Sequence, residues 1–154
     1  MIDLMKLSGL FQQSGFKGVT LSADYKGIPF HLVAEGKIGL QKMPVLVRAF
    51  DRFGLENVEQ TVKDFATLSR ESVSMVLGKF FLFCVIADTV DPNAVVHLFK
   101  TTGQAQEDAK GLLKEGGGGL IVAIVASKEI IPERSRWNTT RFENKARDVI
   151  KQAM

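Results

Sequence analysis

An unbroken apolar run, KFFLFCVIADTVDP (residues 79–92), stops at Asp88, and a second acid, Asp91, stands directly before Pro92. Carboxylates at such a stop can hold a divalent cation, and a held cation can drive chemistry on phosphate esters. Asp91 has a simpler use. An acid before proline suits a helix start, because the carboxylate accepts from free amides and proline has none to lose. Asp88 falls where open α/β sheets place ligands, beyond the carboxyl end of a central strand. A second apolar run, Leu120–Ala126, ends in Ser127-Lys128-Glu129. If the two runs lie side by side, Asp88, Glu129 and Lys128 form a polar cluster fit for a cation or a phosphate. The competing reading is that polar residues only mark where a buried strand reaches water.

Glu35-Gly36-Lys37 is the second candidate. With Asp24 upstream, an acid followed by Glu-x-Lys resembles metal-dependent nucleases of the restriction-endonuclease type, and a helix followed by a hairpin agrees with that family's start. The resemblance implies Mg²⁺ held by carboxylates, with Lys37 countering phosphate charge. Glu35-Gly36-Lys37 with Asp88-x-x-Asp91 downstream also resembles a Toprim domain. Such domains hold magnesium through a Glu after one strand and an Asp-x-Asp pair after another; here two residues separate the acids. The metal set is then Asp88, Glu35 and Glu129, and the catalytic set Asp88, Glu35, Lys37 and Lys128. Hairpin geometry opposes the nuclease arrangement. A turn at Lys26-Gly27 pairs Asp24 near Pro29 and Glu35 near Gly18, which leaves the carboxylates on the order of 20 Å apart at ~3.3 Å per residue.

The basic end of the chain is the third candidate. From Lys128 onward seven Lys/Arg face four acids, which equals the whole chain's net charge of +3. Arg134, Arg136 and Arg141, with Lys145 and Arg147, are placed to contact nucleic-acid phosphates, and Trp137 offers a stacking surface. The alternative is a helix that docks its apolar face and leaves its charges in water. His31 and His97 are isolated, with no Cys or second His at metal-ligand spacing, and read as structural or solvated. Cys84, the single cysteine, sits inside an apolar run and reads as buried and inert. Gly116–Gly119 close a helix and open a strand, the reverse of a phosphate cradle, and read as a loop.

These residues need a scaffold. The 154 residues suit one domain, and 45% hydrophobic with 24% charged content is ordinary for a soluble protein. No apolar run approaches the roughly 20 residues that span a bilayer, and the N-terminus lacks the continuous apolar segment of a signal peptide. The expected setting is cytoplasmic, away from membranes. Asp3–Gln13 is predicted as a helix capped by Asp3, followed by a hairpin about Tyr25-Lys26-Gly27. Val45, Leu46, Ala49, Phe50 and Phe53 fall at helical spacing and are read as a helix ending at Gly54, with a strand over Val45–Phe50 as the alternative. A helix follows, with Leu55, Val58, Val62, Phe65 and Ala66 on one stripe.

Phe80–Ala87 and Leu120–Ala126 are apolar at every position, as strands covered on both faces are. Two helical stripes lie between them: Ala94, Val95, Leu98 and Phe99, then Ala105, Ala109, Leu112 and Leu113. The strands are therefore expected to be parallel, joined by a helical crossover. The last helix opens at Thr140 with capping-box spacing to Glu143 and buries Phe142, Ala146, Val149, Ile150 and Ala153. The sum is a single-domain layered α/β fold with a mixed sheet: N-terminal helix, β-hairpin, parallel βαβ unit and C-terminal amphipathic helix. In function the sequence favours a non-enzymatic binding or assembly module without a cofactor, whose partner is another protein, a second copy or nucleic acid. The alternative is a Mg-dependent phosphodiester-cleaving enzyme.

Overall fold

A computed structural model describes residues 1–38, 41–73, 80–113, 117–133 and 140–154. The elements run α1 (Leu4–Gln13), β1 (Lys17–Tyr25), β2 (Ile28–Ile38), β3 (Gln41–Phe53), α2 (Leu55–Val73), β4 (Phe80–Val90), α3 (Pro92–Leu113), β5 (Gly117–Ile124), β6 (Glu129–Ile131) and α4 (Thr140–Ala153). The six strands form one sheet in the order β1-β2-β3-β4-β5-β6. β1, β2 and β3 are antiparallel neighbours, β3, β4 and β5 run parallel, and β6 returns antiparallel to β5. The fold is thus α/β with a mixed sheet, flanked by a helix from each end of the chain. No helix among the described residues is long and apolar enough to cross a membrane.

Local chemistry explains the early elements. The Asp3 carboxylate accepts from the Lys6 amide at 3.0 Å and starts α1, while Gly15, at φ +90°, lets the chain turn away after it. The hairpin turns at Lys26 and Gly27, both with positive φ, as a two-residue hairpin loop demands. Its register joins Asp24 to Pro29 and Lys17 to Glu35. Near its start β1 carries an irregularity between Lys17 and Thr20, with Gly18 at φ +56°.

The favoured helix over Val45–Phe53 is instead the long strand β3, as the alternative reading of Val45–Phe50 has it. Its apolar spacing comes from burial on two faces. Val45, Val47 and Ala49 enter the core beneath α1 and α4, and Leu46 and Phe53 enter the one beneath α2 and α3. A doubly covered strand is apolar on both sides of its pleat, so it mimics a helical stripe. Other details differ too. The two stripes between the parallel strands belong to one helix, α3, and the side chains of residues 104–113 lie outside the described set. Of Gly116–Gly119, Gly117–Gly119 lie in β5 rather than in a loop and Gly116 lies outside the described residues, and β6 is a strand the sequence did not suggest. Leu55 is exposed and does not join the buried stripe of α2.

The parallel pair is as expected. Residues 81–87 of β4 are buried, alternating between the two cores, and β5 pairs with them from Phe80↔Gly117 to Ala87↔Ile124. β3-α2-β4 and β4-α3-β5 both put their helices over one face, where Val58, Phe65, Leu68, Ala94, Val95 and Leu98 meet Phe81, Phe83 and Val85. Each buried Val, Leu or Phe among them contributes about 1.5–3 kcal/mol. Burial also pushes the Cys84 thiol well above its usual range, so it stays protonated and inert.

Candidate anion-binding cleft

The cleft is built where β2 ends and β3 begins, between the turn after α1 and the first turn of α4. It has a volume of about 700 Å³ and is lined by Gly15, Phe16, Lys17, Glu35, Gly36, Lys37, Lys42, Arg141, Phe142 and Lys145. Its seat is the contact between α4 and β2. Gly36 has no side chain, and a Cβ there would lie 2.2 Å from the Phe142 ring. Phe142 therefore settles over bare backbone, with Phe16 beside it at 6.0 Å between centroids and Phe11 beyond at 4.9 Å. This aromatic base holds the start of α4 against the sheet and aims Arg141 and Lys145 at the rim. Lys145 Nζ lies 5.6 Å from the Phe16 ring centre, a cation–π contact.

The charges are one-sided. Lys17, Lys37, Lys42, Arg141 and Lys145 are all exposed. None of the five forms an ion pair among the described residues, and neither does Glu35. Lys37 and Lys42 are direct cross-strand partners, an arrangement of like charges that destabilises a sheet. Glu35, opposite Lys17 in the register, is half-buried and is the single carboxylate of the lining. A ring of unpaired cations about an open space can hold an anion, above all one carrying several phosphates.

The other predicted residues stand elsewhere. Asp88, at the carboxyl end of β4, receives the α-amino group of Met1, which also approaches Asp51 at 3.4 Å. The Asp88 carbonyl accepts from the Ala126 amide at 3.0 Å, so the ends of β4 and β5 do share a rim. Lys128, in the turn after β5, and Glu129, at the start of β6, are exposed on that rim. Glu35 is not there. It pairs with Pro44, whose neighbour Val45 pairs with Leu82, and Asp88 lies six residues farther along β4. That is roughly 20 Å at ~3.3 Å per residue. The structure therefore does not bring Asp88, Glu35 and Glu129 together as a metal set, nor Asp88, Glu35, Lys37 and Lys128 as a catalytic set. Asp24 sits at the turn end of the hairpin, far from Glu35. Among the described residues no group of three or more His, Cys, Asp and Glu could hold a metal ion.

Asp91 caps α3, its carboxylate accepting from the Asn93 amide at 2.9 Å. His31 is structural: Nδ1 accepts from the Ala49 amide at 3.0 Å, just past the β2–β3 ladder. Arg147 is no phosphate contact. It is buried, donating to Glu143 Oε2 at 2.8 Å and to the Pro132 carbonyl at 2.6 Å. Arg134, Arg136 and Trp137 lie outside the described residues, whereas Arg141 joins the cleft. Sequence reasoning missed Lys17 and Lys42. The available signal was a pair of lysines flanking the short Ile38-Gly39-Leu40-Gln41 connection, legible only once Gln41–Phe53 is taken as a strand. No family model matches the chain, and neither a curated protein nor a solved structure matches it.

Proposed function

We propose that the protein is a non-enzymatic module that binds nucleic-acid phosphates in the basic cleft. The observation that supports this reading is the convergence on one opening of five cations from β1, β2, β3 and α4, none of them ion-paired among the described residues. A net charge of only +3 leaves little general affinity for polyanions, so concentrating five cations at one place creates a local site. A binding role is favoured over phosphodiester cleavage because the acids a metal would need stand far from Glu35. The basic segment before α4, with Arg134 and Arg136, extends the same charge in sequence.

The test is fluorescence anisotropy with labelled 20-nucleotide single strands and duplexes at 50 and 200 mM NaCl. Three to five phosphate contacts predict a fall in affinity of roughly 20- to 100-fold for the single strands and roughly 40- to 500-fold for the duplexes across that range. The double variant Lys42→Glu/Lys145→Glu should abolish binding while remaining folded by circular dichroism. Binding that ignores salt, or survives in that variant, sinks the assignment.

A further inference from the structure

Glu35 is out of place in a site for phosphate alone. A carboxylate in the lining of a cationic cleft repels the ligand that the lysines attract. It is also acceptor-only, with two oxygens that need donors. Lys17 stands across the ladder from it, yet Glu35 forms no ion pair among the described residues. Gly18, with no side chain, leaves it uncovered from β1, where a Cβ would rest 3.6 Å from the carboxyl carbon.

Resting on the phosphate-binding reading, we infer that Glu35 reads an unpaired guanine whose phosphate lies among the lysines. Guanine is the base that offers two adjacent donors, N1–H and N2–H, on its Watson–Crick edge, and they match the two oxygens of a carboxylate. Adenine and cytosine each place one amino group beside an acceptor, which faces the second oxygen unfavourably. Thymine and uracil offer one N–H between two carbonyls. Pairing hides this edge in a duplex, so the ligand is a free guanine nucleotide or a guanine in a single strand. A cleft of about 700 Å³ is in the range that admits a nucleotide.

The experiment measures anisotropy of labelled dT₁₂ against the same strand with one central guanine or one central inosine, which lacks the N2 amino group. Direct titration of GMP is run alongside. The guanine strand should bind roughly 5- to 100-fold more tightly than dT₁₂, and inosine should lose most of that gain. Glu35→Gln should erase the preference while binding dT₁₂ at least as tightly as the wild type, because a negative charge has left the cleft. Its melting temperature checks that it is folded. Saturable binding of GMP alone, abolished in the Glu35 variant, assigns the free nucleotide as the ligand and upholds the inference. If dT₁₂ binds but guanine brings no gain, or the Gln variant keeps the gain, the guanine assignment falls and phosphate binding stands. If neither strand nor GMP binds, both fall.

Discussion

His31 does one job that ties its charge to stability. Its Nδ1 must be unprotonated to accept the Ala49 amide, and burial together with the nearby Arg48 guanidinium holds its pKa below the ordinary value. Arg48 is itself fixed by Asp64 at 2.7 Å and the Pro29 carbonyl at 2.8 Å, so the positive neighbour cannot move away. A depressed folded-state pKa makes the sign clear. The unfolded chain takes up its proton first, so the stabilisation is complete above about pH 6.5 and is lost as the pH falls below it. Urea unfolding at pH 7.5 and 5.5 should show wild-type stability dropping, and His31→Gln should flatten that drop. An unchanged slope in the variant would assign the loss to other groups.

At the scale of the element, α4 has two duties. Its inner face buries Phe142, Ala146, Val149 and Ile150, and its outer face gives Arg141 and Lys145 to the cleft. Both depend on the missing side chain at Gly36. Gly36→Ala forces the Phe142 ring off its seat, which should cost about 1–3 kcal/mol in chemical denaturation and weaken anion binding through displaced Arg141 and Lys145. An alanine that left both stability and binding intact would show that the cleft does not depend on this contact. Helices with one clean stripe, such as α4, and strands apolar at every position, such as β4, were legible in the sequence because burial is uniform there. β3 was not, because burial on both faces gives a spacing that a helix also satisfies. β6 has three residues, too few for a pattern.

For the molecule as a whole, the lysine cleft lies at the end of the sheet opposite the carboxyl rim of the parallel strands, where Asp51 and Asp88 receive the Met1 α-amino group. Lys37, Arg141 and Lys145 were legible in the sequence one by one, but not as one cleft, because its cations come from positions 17, 37, 42, 141 and 145, which only folding unites. A ligand that binds only the folded form there should raise stability measurably. Millimolar tripolyphosphate should lift the melting temperature by several degrees. Lys42→Glu should raise the baseline stability by about 0.2–1 kcal/mol, since an acid then faces Lys37, and should shrink the tripolyphosphate response. A variant less stable than the wild type would mean that the lysine pair is not under repulsion.

The margins of the sheet carry a consequence for assembly. One outer strand, β1, is kinked near its start, where Gly18 takes a left-handed backbone, and the other, β6, is three residues long. Neither offers the long flat row of free amides and carbonyls on which a foreign strand could lie. Backbone pairing between two copies of this chain is thereby disfavoured, and a contact between them should depend on side chains and respond to point substitutions.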